Sequence, residues 1–315
     1  MRSWFKTAVS VILILLSFLL LLETSCTCQN QETTQTQSTT GVKSKSFIWK
    51  ISSDTTHVYL LGSVHVASQD LYPMDKTIED AFKSANYLVV EVNTNNISQD
   101  YANQLLMKYG IYSPGDGFKK NVSEELYNKL DEQFKKYGIG LVLLDDYRPF
   151  VIYSMMSQFI LESLGYKSEY GIDFYFLGKA ENSNNIMELE TAEYQMDLMS
   201  SIPDEIIIRM MRYDIDNPET ENYLQELFNA WVDGDAAKME TIVFEALIEE
   251  PDLALYYEKT YDQRNFNMAR KIEKFLADDE IYFIVVGAGH LVGENGLINL
   301  LKNKGYDVEQ LDNSD

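Results

Sequence analysis

The sequence predicts an α/β fold in which strands gather at both ends of one folded domain and a mainly helical stretch lies between them. The first observation behind this is Tyr282-Phe283-Ile284-Val285-Val286, an apolar run of aromatic and β-branched residues. It reads as a fully buried strand and leads into Gly287-Ala288-Gly289-His290. The second is a repeat of that figure near the start of the domain, where Val58-Tyr59-Leu60-Leu61 leads into Gly62-Ser63-Val64-His65. The third is the helical pattern that fills Pro203 to Ala277, broken at Asn217-Pro218 and Gly234-Asp235. Of the 3 histidines in the chain, two thus follow a glycine at a strand end with the same spacing. Glycine lets the backbone turn tightly and approach a neighbour closely. The histidine then projects from the strand end, where open α/β sheets hold their ligands.

Ahead of the domain, Arg2 and Lys6, the apolar run Ala8 to Leu22 and the small residues Thr24-Ser25-Cys26 have the layout of a secretory signal. The run is short for a spanning helix, which takes about 20 apolar residues. Leu22-Glu23-Thr24-Ser25-Cys26 resembles a bacterial lipobox with Cys26 as lipid acceptor, although Glu23 stands where such boxes carry leucine. A lipidated, a cleaved or an uncleaved N-terminus would each put the domain outside the cytoplasm. Residues 1–28 are read as this signal segment, 29–46, rich in Gln, Thr and Ser, as a flexible linker, and 47–315 as the folded domain.

Within the domain, Phe47 to Ile51 and Val58 to Leu61 are strands joined by the polar turn Ser52 to Thr56. His57 reads as an exposed or edge histidine. Tyr72-Pro73-Met74 introduces a helix over Asp75 to Ser84, with proline and acids at its start. Tyr87 to Val92 is a buried strand that encloses Glu91. An unpaired carboxylate is costly to bury, so Glu91 calls for a metal, a ligating histidine or a solvent-facing strand end. Asn95 to Phe134 reads as helices and loops, with Ser123 or Asn121 capping a helix around Glu124 to Lys136. Pro149 to Leu164 is a core helix, too short and too interrupted by polar residues to span a membrane. Glu169-Tyr170-Gly171-Ile172-Asp173 starts a helix that runs to Ala180, and Ile186 to Thr191 is a short strand with Glu188 and Glu190 on one face. Arg264-Asn265 lies on the last long helix. After His290 come a helix over Leu297 to Lys304, a stop at Gly305 and a strand over Tyr306 to Leu311. The two strand–Gly-x-x-His–helix units suggest pseudo-symmetric halves.

The formal charge of −23 leaves no basic stripe for phosphates, which argues against nucleic acid and against anionic lipid headgroups as partners. Cys26 and Cys28 both precede the domain, which excludes a zinc–thiolate site, a cysteine nucleophile and a disulfide framework from it.

His65, His290 and Glu91 together make the ligand set of an open catalytic metal site that keeps a position for water. A divalent ion lowers that water's pKa and polarises a carbonyl, and imidazole with carboxylate suits zinc, manganese, iron or cobalt. A second carboxylate from Glu169, Asp173 or Glu190 is placed to act as general base or to orient a ligating histidine, and Arg264 to hold a substrate carboxylate or an oxyanion. Each of these four equally suits a structural salt bridge or helix start. Gly62-Ser63-Val64-His65 is not a serine-hydrolase elbow. Gly287, Gly289 and Gly293 miss the dinucleotide-loop spacing by one residue, and neither a Walker P-loop nor His-Glu-x-x-His occurs.

Taken in order, Leu61 to His65, Glu91, Glu169 to Asp173, Leu189-Glu190-Thr191, Arg264-Asn265, and Val286 to Leu291 through Gly305-Tyr306 resemble the TraB/PrgY/GumN family, to which the Wnt-cleaving Tiki membrane proteases belong. The resemblance runs from residue 47 to 311. It implies an α/β fold with an erythromycin-esterase (EreA)/ChaN-like mixed sheet. It also implies a metal-dependent hydrolase, peptidase-like in Tiki, that favours manganese or cobalt and is carried by His65, Glu91 and His290. The family is functionally mixed, so membership does not fix a substrate. The departure lies in the anchor, N-terminal and lipobox-like here and a C-terminal membrane helix in Tiki. The expectation is an extracytoplasmic, membrane-tethered metallohydrolase acting on a peptide or protein. His65, Glu91 and His290 would hold Mn, Co or Zn, Glu190 or Glu169 would serve as acid/base, and Arg264 would orient the substrate. The alternative is a non-enzymatic surface lipoprotein that sequesters a peptide in the same cleft.

Overall fold

The apolar runs become one mixed sheet. The computed structural model describes residues 45–181, 185–216, 220–249 and 251–313. The expected signal segment, most of the expected linker and the break at Asn217-Pro218 lie outside them. The strands are β1 (Lys45–Ser52), β2 (His57–Ser63), β3 (Tyr87–Val90), β4 (Ile186–Glu188), β5 (Tyr282–Gly287) and β6 (Asp307–Asp312), in the order β4-β3-β5-β2-β1-β6. β4, β3, β5 and β2 run parallel, and β1 is antiparallel to both β2 and β6. Every residue of β5 is buried. That explains its unbroken apolar character, since a central parallel strand is covered on both faces.

The helices are α1 (Lys76–Ser84), α2 (Gln99–Tyr109), α3 (Phe118–Asn121), α4 (Glu124–Lys136), α5 (Pro149–Ser163), α6 (Ile172–Lys179), α7 (Ala192–Ser200), α8 (Asp204–Asp216), α9 (Thr220–Val232), α10 (Ala236–Glu249), α11 (Ala254–Tyr257), α12 (Gln263–Phe275) and α13 (Leu297–Asn303). Their starts follow side-chain chemistry. Asp75, Ser98, Ser123 and Thr191 each accept a backbone N–H of the first turn, a cap that stabilises by about 1 kcal/mol. α11 passes through a π-helical turn, Glu258–Asp262, into α12. No helix among the described residues is long and apolar enough to cross a membrane.

Four expectations shift. β1 begins at Lys45, inside the stretch read as linker. β3 ends at Val90, so Glu91 lies just beyond the strand. β4 ends at Glu188, and the chain turns before Glu190. Glu188 is therefore exposed, accepting the Asn93 N–H at 2.6 Å, while Glu190 is buried. His57 opens β2 half-buried, with its ring edge-on to Tyr59.

The topology sets up the site. In β2 and β5, Gly62 pairs with Val286 and Ser63 with Gly287, so the two Gly-x-x-His segments lie side by side, one residue out of step. β3 flanks β5 on its other side, and β4 flanks β3. All four parallel strands therefore end at one edge of the sheet, where the chain reaches His65, Glu91, Glu190 and His290.

Candidate functional site

Backbone hydrogen bonds fix the segments that leave these strands. Leu189 N–H donates to Val90 O at 2.9 Å and Glu190 N–H to Glu91 O at 2.8 Å, which continues the β3–β4 pairing past the strand ends. The segment after β2 is held against the lead-in to α6: Ala67 and Lys167 exchange backbone bonds, and Ile172 N–H donates to Val64 O at 3.1 Å. Gly171 makes this fit possible. A Cβ there would stand 2.3 Å from the carbonyl oxygen of His65.

Side chains then anchor each donor. His65 Nδ1 meets Asp173 Oδ2 at 2.8 Å, and Ser63 Oγ donates to Asp173 Oδ1 at 3.1 Å. His290 Nδ1 meets Asn265 Oδ1 at 2.6 Å. An amide oxygen only accepts, so His290 carries its proton on Nδ1 and turns the lone pair of Nε2 inward. Glu91 Oε1 accepts the Gly287 N–H at 2.7 Å. The donors meet over Gly287. The position of a Cβ on that glycine would lie 3.5 Å from Glu91 Oε1, 3.6 Å from His65 Nε2 and 3.6 Å from His290 Cδ2. His290 Nε2 stands 3.8 Å from Glu91 Oε1.

Arg264 organises the acids behind this point. Its guanidinium is 0 % exposed. Nε donates to both oxygens of Glu190 at 3.0 Å, and one terminal nitrogen reaches Glu190 Oε2 at 2.7 Å and Glu91 Oε2 at 2.5 Å. Gln195 adds donors to Glu190 at 2.9 Å and Glu91 at 3.3 Å. Burial, with Arg264 nearby, pushes the His290 imidazole well below its ordinary value, so it is neutral. Burial would also lower His65, but the charge and hydrogen bond of Asp173 outweigh it and hold His65 above its ordinary value. Asp173 is the mirror case: burial would raise it, and His65 and Ser63 hold it down.

A cavity of about 20 Å³ opens beside the donors, lined by His65, Glu91, Thr94, Asp173 and Phe174 among others. That is room for a single water or ion. Thr94 Oγ1 is buried without a hydrogen-bond partner.

His65, Glu91, His290, Glu190 and Arg264, all singled out in the sequence, come together. Glu169 does not: it sits in a 3-10 turn ahead of α6, its side chain 62 % exposed and 3.5 Å from Lys167. The helix starts later than expected, so Asp173 in its first turn is the acid turned toward His65. Arg264 does not face substrate, because two carboxylates occupy its guanidinium. Glu190 is enclosed by Arg264 and Gln195 in the same way. Sequence reasoning missed Gln195, Thr94 and the role of Asn265. Only Asn265 carried a signal, as the neighbour of Arg264.

The donor chemistry suits a divalent ion. Two imidazoles are braced at Nδ1 by an acceptor, as ligating histidines usually are. Two carboxylates, Glu91 and Glu190, hold one guanidinium, a third, Asp173, braces His65, and a glycine leaves open the point where the donors meet. The spacing is looser than a closed site. Among the described residues, no group of three or more His, Cys, Asp or Glu stands ready to hold a metal.

A model of the TraB/PrgY/gumN family matches residues 47–310. The chain belongs to this family. It is also similar to YbaP of Escherichia coli K12, an uncharacterised protein, with 24% identity over 78% of this chain and 88% of that one. Shorter matches join it to metalloproteases: 41% identity over 51 residues with a Metalloprotease TIKI homolog of Amphimedon queenslandica, and 38% over 63 residues with Metalloprotease TIKI2 of Xenopus tropicalis. They cover 10% and 12% of those proteins and 16% and 19% of this chain. No solved structure matches. The fold of this TraB/PrgY/gumN member therefore stands as the mixed α/β architecture described above, with its six-stranded sheet.

Proposed function

We propose that this chain is an extracytoplasmic metal-dependent hydrolase of peptide bonds, tethered to a membrane through its N-terminal segment. The observation that carries the reading is the meeting of His65 Nε2, Glu91 Oε1 and the His290 ring over Gly287, with each imidazole braced at Nδ1. Excess negative charge favours a cation there, and the short likeness to the TIKI metalloproteases favours peptide substrates.

His65, Glu91 and His290 are the residues that would hold the ion. Bound, it would supply a nucleophilic water at neutral pH and polarise the scissile carbonyl. Asp173 and Asn265 orient the two rings, and Arg264 keeps Glu91 in position. His65 gives up a proton before its Nε2 lone pair becomes available. Asp173 lines the cavity and is bound to no guanidinium, so we assign it the acid/base task expected of Glu190 or Glu169. The Thr94 hydroxyl is placed to hydrogen-bond the polar occupant of the cavity.

The loose spacing of the donors favours a second reading, a peptide-sequestering protein without catalysis. Both are tested by chelating the full chain, titrating Mn²⁺, Co²⁺ and Zn²⁺, following thermal unfolding, and then screening the metal-loaded protein on a peptide library. A ligand at 100 times its Kd adds about 2.7 kcal/mol to stability. A rise in Tm that is lost in His290→Ala is expected. No rise with any metal would overturn the metal reading, and a rise without cleavage of any peptide would favour sequestration.

A further inference from the structure

A second cavity, of about 490 Å³, lies between α4, α5 and α8 and includes none of the residues of the candidate site. Its size falls in the usual range of small-molecule pockets. Phe134, Tyr137, Met156, Phe159 and Ile160 form apolar walls, and Asp214 is the one acid in the lining. The aromatic walls pack on one another. Tyr137 stacks on Phe159 at 4.7 Å between ring centroids, and Phe134 meets Phe159 edge-on at 5.8 Å.

Asp214 is 8 % exposed. Its Oδ2 accepts the Tyr153 hydroxyl at 2.5 Å. Among the described residues, no cation pairs with it. Lys136, at the rim, donates instead to Gln133 at 2.8 Å. A carboxylate buried among aromatic and aliphatic side chains is costly without a counter-charge. The empty cavity meets that cost with a proton: burial pushes Asp214 up to about 8. The titratable groups that face it, Tyr153 of α5 and Tyr223 of α9, are themselves held neutral by burial.

We propose that this cavity binds a small amphiphilic amine, with its ammonium group on the Asp214 carboxylate and its apolar part against Phe134, Met156, Phe159 and Ile160. The ammonium supplies the missing counter-charge, and the faces of Tyr137 and Phe159 add cation–π attraction. On binding, the Asp214 proton leaves to solvent and the ammonium takes its place. An anionic amphiphile meets the same carboxylate with the wrong sign. A merely structural Tyr153–Asp214 tie needs no cation and leaves the cavity indifferent to ligand charge. The proposal is independent of the metallohydrolase reading.

The test is calorimetry on the full chain at neutral pH with n-octylamine, 1-octanol and octanoate. Octylamine is expected to bind saturably and at least about tenfold tighter than the other two, the scale of a desolvated charge pair. Repeating the titration in buffers of different ionisation enthalpy is expected to show roughly one proton released. Asp214→Asn keeps an oxygen for the Tyr153 hydroxyl and should bring octylamine down to the level of octanol. Met156→Trp, which fills the cavity while leaving Asp214 intact, should weaken all binding. The inference is overturned if wild type does not bind octylamine saturably, if octanol or octanoate binds as tightly, or if neither variant weakens octylamine.

Discussion

Replacing Arg264 by methionine tests whether its guanidinium is the internal counter-ion of the site or a substrate clamp. Methionine fills much of the same volume, so the change is chiefly electrostatic. Arg264 is fully buried, and a single terminal nitrogen is shared by Glu190 Oε2 and Glu91 Oε2. Its removal leaves two buried carboxylates facing each other with only Gln195 between them. Breaking a buried pair costs about 3–5 kcal/mol. Two orphaned acids put Arg264→Met near the upper end, about 5 kcal/mol, a large part of the roughly 5–15 kcal/mol available to a native domain. At about 2–4 °C per kcal/mol, Tm should fall by roughly 10–20 °C. Urea unfolding followed by circular dichroism gives the free energy directly. Adding Glu190→Gln to Arg264→Met removes one of the orphaned charges and should restore part of the loss. A loss below about 1 kcal/mol, or no recovery in the double variant, would refute the account and return Arg264 to a substrate-facing role.

Gly287→Ala places a methyl group where the donors meet, at ordinary contact distances of 3.5 and 3.6 Å. It should change stability by less than about 1 kcal/mol yet abolish any metal-induced rise in Tm. Gly171→Ala is the opposite case. Its Cβ would lie 2.3 Å from the His65 carbonyl oxygen, so the backbone must move, and a loss of about 1–3 kcal/mol is expected by urea unfolding. Asp214 sets a pH signature. Its folded value of about 8 exceeds the ordinary 3.8, so between those values the native state holds a proton that the unfolded chain has lost. The Asp214 contribution is therefore fully present below the ordinary value. It declines by up to about 1.4 kcal/mol per pH unit as pH rises toward the folded value, and levels off above it. The stability of wild type minus that of Asp214→Asn should follow this decline across pH 5 to 8. A pH-independent difference would mean that Asp214 is charged in the native protein.

Much of the site was legible because its signals are local. Gly-x-x-His after a buried run marks a strand end wherever it occurs, and an acid next to an apolar strand calls for a partner whatever that partner is. The choice among Glu169, Asp173 and Glu190 was not legible. Glu169 and Asp173 lie in one short segment, and the start of α6 at Ile172 turns one outward and the other toward His65, 108 positions away in sequence. Arg264 shows the same limit. An arginine on a polar helix face looks like a substrate clamp until Glu91 and Glu190 are seen to occupy it.

The sequence by itself determined the elements. Residue type and period along the chain select strand or helix, and Asp75, Ser123 and Thr191 select where helices begin. It also determined the family, since ordered motifs identify a lineage without coordinates. Only the tertiary structure decided the sheet order, which inserts β5 between β2 and β3 and so brings the two Gly-x-x-His turns and Glu91 to one edge. Likewise, only packing decided that Arg264 is neutralised from within, that Asp173 braces His65, and that Asp214 faces an apolar cavity without a counter-ion. These outcomes depend on burial and on contacts between distant segments. Both are properties of the packed chain, which no local pattern encodes.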